Sequence, residues 1–215
     1  SHQKALISKN LLAEEISPVY LRNDDCIKSF DNKYIDTDNG PRIDSTVTKL
    51  STLRTVFDKK GTVTAGNSSQ LTDGAVALLL MTRDGLEKTG CEPIGKIMDY
   101  AYTGCDPKRM GLGPVKAIEK LTGNQIPYPY SYSPKKSAFN LKNMDLVEIN
   151  EAFAGQVLAC QKHLNIPEGK LNVNGGAIAL GHPVGATGAR LVLTLLKELN
   201  RQGLKNGLAT LCIGG

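Results

Sequence analysis

Apolar positions along the chain follow two rhythms. In TGARLVLTLLKELNRQG, Leu191, Leu195 and Leu199 recur every four residues, one stripe of an amphipathic helix that Gly203 closes. In EAFAGQVLACQKHLN, Phe153, Val157, Cys160 and Leu164 share a helical face. GPVKAIEKLTG predicts a shorter helix, with Pro114 near its start and Gly123 at its end. Short unbroken apolar runs have the other rhythm. MDLVEIN (144–150) and GLATLCI (207–213) predict buried strands. DGAVALLLMTRDGLEKTG predicts a buried strand over 75–81 that leads into a helix ended by Gly90, and IGKIMDYAYTG (94–104) a further strand. Strands alternating with helices make a layered α/β domain.

The first sixty or so residues are polar and irregular. LISKNLLAEEI predicts a helix with Leu6, Leu11 and Ile16 loosely spaced, and STVTKLSTLRTVF one with Leu50, Leu53 and Phe57 at helical spacing. Between them, NDDCIKSFDNKYIDTDNGPR is rich in turn residues. NQIPYPYSYSPKKSAFN, with three prolines and three alternating tyrosines, reads as a surface insertion of extended character.

Composition narrows the function classes. At 215 residues the chain suits one large domain or two small ones, and 40% hydrophobic with 22% charged residues is ordinary for a globular protein. The formal charge of +5 is too mild to argue for nucleic acid, and no basic stretch is interleaved with aromatics. Arg42, Lys49, Arg54 and Lys59 do gather in one region, which is either a solvated face or a surface attracting a phosphorylated small molecule. No apolar run is long enough for a membrane helix, and SHQKALISKN lacks the apolar core of a secretory signal. Cysteines at 26, 91, 105, 160 and 212 are odd in number and have no C-x-x-C spacing, against both disulfide and zinc scaffolds. His2, His163 and His182 form no H-E-x-x-H pattern, so no metal site is expected.

The most flexible stretch is NVNGGAIALGHPVGATGARLV, with five glycines around one histidine. GAIALGHP has the gap of a Walker loop, but His182 stands where lysine is required. GLGPVK lacks the third glycine of a dinucleotide fingerprint. What remains is a tight loop entering a helix, with Pro183 stiffening it beside His182. A histidine so held is either structural or suited to moving a proton near neutral pH. Asn150 in NEAF reads as a helix cap or a site residue, and Cys212 as an inert core thiol or a reactive one. All three lie at carboxyl ends of elements in one α/β unit, where open sheets bind ligands. Three polar groups meeting at such a rim suggest an acid–base site.

These blocks closely resemble the thiolase family. VNGGAIALGHPVGATGAR is similar to its histidine block, NEAFA to its asparagine block and CIGG to its second cysteine block. GTVTAGNSSQLTDGA and DPKRMGLGP resemble two further stretches, all in family order. The ending GLATLCIGG resembles the biosynthetic acetoacetyl-CoA branch more than the long-chain degradative one. The decarboxylating condensing enzymes of fatty-acid synthesis share the fold, and the Cys212 block argues against them.

The resemblance implies a layered α-β-α-β-α fold, of which this chain holds the second βαβαβαββ half and part of a loop domain. Residues 1–72 would be the later part of that loop domain, 73–93 the last strand and helix of the first half, and 94–215 most of the second half. It implies acyl transfer between coenzyme A thioesters, joining two acetyl-CoA to acetoacetyl-CoA or running the cleavage backwards, with no permanently bound cofactor. Cys212 would be the base that takes the methyl proton, working as thiolate. His182 would donate to the thioester oxygen and help activate a nucleophile, Asn150 would hold a water beside it, and the Gly214 amide would face a second oxyanion. Arg42, Leu53, Phe57, Ala65 and Ser69 would line the arms of the coenzyme, and Met110 and Phe153 the acyl pocket.

The family's nucleophilic cysteine sits in a small-residue context like C-x-S/G-G, and none of the five cysteines here does. The expectation is therefore that residues 1–215 made alone do not complete the reaction, for want of the amino-terminal half; the alternative is a truncated thiolase-like protein that binds coenzyme A esters or a partner without catalysis. Family members are dimers or tetramers, and without that half the apolar stretch 75–81 is expected to be exposed. The expected compartment is the cytoplasm, with the mitochondrion and peroxisome left open.

Overall fold

The computed structural model describes residues 1–20, 34–123 and 139–213. Cys26, most of the tyrosine-rich insertion and Gly214 lie outside the described residues.

Two short helices, α1 (His2–Ile7) and α2 (Lys9–Ala13), replace the single helix expected over this stretch. The break is at Ser8, a buried residue whose hydroxyl donates to Asn174 Oδ1 at 2.7 Å. A two-residue antiparallel pair follows, β1 (Val19–Tyr20) with β2 (Tyr34–Ile35). Helix α3 (Val47–Ser51) is capped by Thr46, whose side chain accepts the Lys49 N–H. It ends well before Phe57, because the Val56 N–H is taken by the Val63 carbonyl at 2.9 Å, which turns the chain back on itself. A 3-10 turn at Ala65–Asn67 follows, boxed by Thr64 and Asn67. Helix α4 (Arg83–Thr89) ends at Gly90, in the left-handed conformation expected of a glycine stop.

The carboxyl-terminal part carries the core. A 3-10 turn at Pro107–Leu112 leads into α5 (Gly113–Leu121). Strand β3 (Leu146–Ile149) is followed by α6 (Ala154–Leu164), the single turn α7 (Ala177–Leu180), α8 (Thr187–Gln202) and strand β4 (Gly207–Thr210). β3 and β4 pair in parallel, with Leu146 opposite Gly207 and Ile149 opposite Thr210. The pair is buried on both faces, the habit of parallel sheets. Val147, Ile149 and Leu208 pack with Val115 and Ile118 of α5 and Val157 and Cys160 of α6. On the other face Leu146 meets Leu195 and Leu199 of α8. Burying each such aliphatic side chain contributes about 1.5–3 kcal/mol. Beyond α8, Thr194 donates to Glu15 at 2.7 Å, and Ala5 and Leu12 close on Ala179.

Four further expectations fail. Neither 75–81 nor 94–104 forms a strand. Apolar runs signal burial, but a strand also needs a neighbour to receive its N–H and C=O groups, and no described segment pairs with either run. Their side chains lie open, Leu79 at 84% and Met98 at 80% exposure. Phe153 is not inside α6; it is the extended residue before it, because the neighbouring segment pairs with it at Ser68. The closing strand stops at Thr210, so Cys212 lies just past its end. Among the described residues no helix is long and apolar enough to cross a membrane.

Candidate active site

The site begins at the carboxyl end of β3. The Asn150 N–H donates to the Thr210 carbonyl at 3.0 Å, which carries the parallel pairing one residue past the end of β3. On the other side Asn172 holds the strand with its side chain. It accepts from the Ile149 N–H at 2.8 Å and donates to the Ile149 carbonyl at 2.9 Å. With the backbone fixed from both sides, the Asn150 side chain is fully buried. It caps no helix, since Phe153 occupies that place for α6. Instead Asn150 Nδ2 stands 3.2 Å from His182 Nε2, and Asn150 Oδ1 is buried without a partner.

His182 reaches this point on a loop braced from four directions. Glu151 accepts the Ile178 N–H at 3.2 Å and a bond from Asn172 at 3.3 Å, which ties NEAF to the start of the glycine-rich turn. Gln70 Nε2 faces the carbonyls of Gly40, Ile178 and Ala179 at 3.1, 3.0 and 3.2 Å. The Gln70 carbonyl takes the His182 N–H at 3.4 Å. Gly181, at φ +95°, then turns the chain tightly against Thr72, where a Cβ would collide with the threonine side chain. Finally His182 Nδ1 lies 2.6 Å from Thr187 Oγ1 at the start of α8. Burial, with a smaller push from the Arg190 cation, holds the imidazole below the ordinary histidine pKa, so the ring is neutral at neutral pH.

Cys212 follows β4 on the same edge of the pair as Asn150 follows β3. It is buried, and burial, followed by the neighbouring Cys105, pushes its thiol up. Its close neighbour is Gly113, where an added Cβ would stand 3.7 Å from Cys212 and 3.9 Å from the Cys105 sulfur. Among the described residues no hydrogen bond joins Cys212 to Asn150 or His182, so Asn150 and His182 meet directly and Cys212 joins them through the adjacent strand ends.

Most of the expected coenzyme-lining residues share one neighbourhood. The Ser69 N–H donates to the Ala152 carbonyl at 3.0 Å. Phe57 packs edge-on to Phe153, with ring centres 6.4 Å apart. Leu53 closes on Gly66, next to Ala65, where an added Cβ would meet the leucine at 2.5 Å. Arg42 makes its contact elsewhere, its backbone N–H donating to His2 Nδ1 at 3.1 Å. Met110 lies in the 3-10 turn that Gly113 closes, its carbonyl accepting the Gly113 N–H, and Gly113 is the residue next to Cys212. Sequence reasoning passed over Gln70, Glu151 and Thr187. All three stand inside the quoted blocks, but their value lies in hydrogen bonds across the fold. Among the described residues no group of three or more histidine, cysteine or acidic side chains is placed to hold a metal ion.

Comparison with known proteins gives this arrangement a lineage. Residues 91–215 match the thiolase carboxyl-terminal domain, and residues 1–84 the thiolase amino-terminal domain. The chain belongs to the thiolase family. The acetyl-CoA acetyltransferase of Chromobacterium violaceum is 45% identical over 202 residues, 94% of this thiolase chain and 47% of that protein. The crystal structure of the Bacillus anthracis acetyl-CoA acetyltransferase is 39% identical, with a TM-score of 0.86 over 100% of this chain and 51% of its own. Human mitochondrial 3-ketoacyl-CoA thiolase in complex with CoA is 36% identical, with a TM-score of 0.82 over 100% of this chain and 49% of its own. The fold is thus a thiolase-like α/β fold, and the chain spans about half the length of the relatives it matches.

Proposed function

We propose that this chain carries the acid–base side of acyl transfer between coenzyme A thioesters, acetyl-CoA and acetoacetyl-CoA first among them. The contact between Asn150 and His182, beside the strand end that bears Cys212, carries the reading. Cys212 rests protonated, so it has a proton to give to a departing coenzyme A thiolate. Having given it, the thiolate takes a proton from the methyl carbon of the second thioester. The enolate oxygen that forms needs donors. His182 Nε2, once protonated, is one; a water on the open Oδ1 of Asn150 is the other. Removing one donor of this kind costs roughly 100- to 1000-fold in rate. The backbone amide of Gly214 would serve the second oxyanion. Arg42, Leu53, Phe57, Ala65 and Ser69 would lie along the coenzyme, and Met110 and Phe153 against the acyl group.

The thiol that accepts the acyl group is placed outside residues 1–215, because no cysteine here has the family's small-residue context. In this proposal 1–72 belongs to the loop domain, 73–93 to the end of the first half and 94–215 to the second, and the complete enzyme is a dimer or tetramer. Likeness to a 3-ketoacyl-CoA thiolase supports a second reading, in which longer 3-ketoacyl-CoA esters are cleaved.

Thiolysis of acetoacetyl-CoA, followed through loss of its enolate absorbance, tests both halves of the proposal. Residues 1–215 alone are expected not to turn over. A longer chain bearing the acceptor thiol is expected to do so, and to lose activity as His182→Ala or Cys212→Ser. Full turnover by 1–215 alone would refute the split site; indifference to His182→Ala would refute the site itself. Comparing acetoacetyl-CoA with a long-chain ester decides between the two substrate readings.

A further inference from the structure

The loop histidine has two ring nitrogens, and its surroundings treat them differently. Thr187 is buried to 1% exposure, and its hydroxyl lies 2.6 Å from His182 Nδ1. The same hydroxyl donates to the Pro183 carbonyl at 3.0 Å, the back-bond to the preceding turn that threonine makes at helix positions. A hydroxyl has one proton. With that proton on Pro183, whose carbonyl also takes the Ala186 and Thr187 N–H groups at 2.9 Å each, Oγ1 is open to accept from the ring, which suits a hydrogen on Nδ1.

The other side of the ring agrees. Asn150 Nδ2 donates towards Nε2 at 3.2 Å, which requires a lone pair there. Turning the Asn150 amide over would offer Oδ1 to an Nε2–H, but it would strand the amide N–H groups in a fully buried place. In the observed orientation one carbonyl oxygen is left instead. An unpaired buried carbonyl is better tolerated than unpaired N–H donors.

We propose that Thr187 is a positioning residue that sets His182 as its Nδ1–H tautomer, leaving on Nε2 the lone pair that accepts from Asn150 at rest and acts as the base when the thiol's proton takes the place of that bond. Its consequence, though not its geometry, rests on the acyl-transfer reading. In that reaction the proton of the nucleophilic thiol moves to Nε2 as sulfur bonds to the acyl carbon, and the new Nε2–H then donates to the thioester oxygen. Thr187 accepts from Nδ1 throughout, so the ring changes charge without turning. The Nε2–H tautomer would have no lone pair on the site side and would fail at the first step.

Nitrogen NMR of the His182 ring in the labelled protein, held where the ring is neutral, is the test. The native protein and Thr187→Ser are expected to show a pyrrole-type Nδ1 and a pyridine-type Nε2. Thr187→Val, equal in shape but without the hydroxyl, is expected to move the population towards Nε2–H. In the active enzyme T187V is expected to lower kcat about 10-fold with little change in KM, and Thr187→Ser to recover it. A native ring protonated at Nε2, or a T187V spectrum identical to the native one, would overturn the proposal, and the native spectrum alone decides it should T187V not fold. The expected spectra in a longer chain that bears the acceptor thiol and yet transfers no acyl group would uphold the tautomer assignment and sink the acyl-transfer reading.

Discussion

Glu151 and Ile178 are joined by a hydrogen bond from the Ile178 N–H to the Glu151 carboxylate at 3.2 Å, across a separation of 27 residues. The carboxylate also takes a bond from Asn172, so one side chain fastens the end of β3 to the turn that presents His182. Gln at position 151 would set an N–H donor against one of these donors. Glu151→Gln is expected to cost about 1–3 kcal/mol, read from chemical denaturation, with a larger fractional loss of activity. Unchanged stability would mean the carboxylate is not the fastener.

Gly181 offers a sharper lesion. A methyl group there meets Thr72 and also forces a side chain into a positive-φ conformation. Gly181→Ala is expected to destabilise by about 1–3 kcal/mol and to move His182 off Asn150. The double variant Gly181→Ala with Thr72→Ser should recover little, because the backbone strain remains. Full recovery would show that crowding alone matters.

Asn172 should be costly to lose. Its amide makes both hydrogen bonds to Ile149 that a neighbouring strand would otherwise make. Asn172→Ala leaves two buried backbone groups unpaired, at about 1–3 kcal/mol each. Hydrogen exchange at the Ile149 amide is the direct measurement, and protection equal to native would contradict the role.

Two titrations act in opposite directions on pH. The folded-state pKa of His182 lies below its ordinary 6.5, so the stability of its neutral ring is present above that value and is lost as pH falls. Burial raises Glu148, on the inner strand, to about 8 against an ordinary 4.5, with Arg190 opposing the shift. Its contribution is complete below 4.5 and is lost as pH rises through about 8. Glu148→Gln should therefore flatten the alkaline limb of the stability curve and leave the acid limb in place. An alkaline limb identical in both proteins would refute the assignment.

Thiol reactivity follows burial. Cys91 and Cys105 are exposed, whereas Cys160 and Cys212 are buried with thiols pushed up by desolvation. Brief alkylation near neutral pH, read by peptide mass spectrometry, should label the first two and spare the second pair. Early labelling of Cys212 would place it in a more open or more anionic setting than described here.

The parts legible in the sequence were those governed by local periodicity. The leucines of α8 and the apolar face of α6 sit in helices of nearly the expected length, and the glycine at 90 stops α4 as its chemistry requires. Runs 75–81 and 94–104 misled as strands because hydrophobicity records a wish for burial without naming the neighbour, whereas the exposure of 75–81 was expected. At the site, Asn150 and His182 were visible as residue types at element ends. Thr187 was not, because its role depends on where one hydroxyl proton goes, and spacing along the chain does not encode that. Cys212 was expected on the closing strand and lies just past it, and the burial that pushes its thiol up comes with the approach of Gly113 at the start of α5, which spacing along the chain does not record.

The amide of Gln70 bonds to a carbonyl 108 residues further along the chain. Closing so large a loop has an entropic cost, and contacts of high sequence separation form slowly. The helices can therefore assemble while the imidazole still has no fixed address. In a refolding experiment the far-ultraviolet signal of α6 and α8 should return first, and the geometry around residue 182 only after the distant strap has found it.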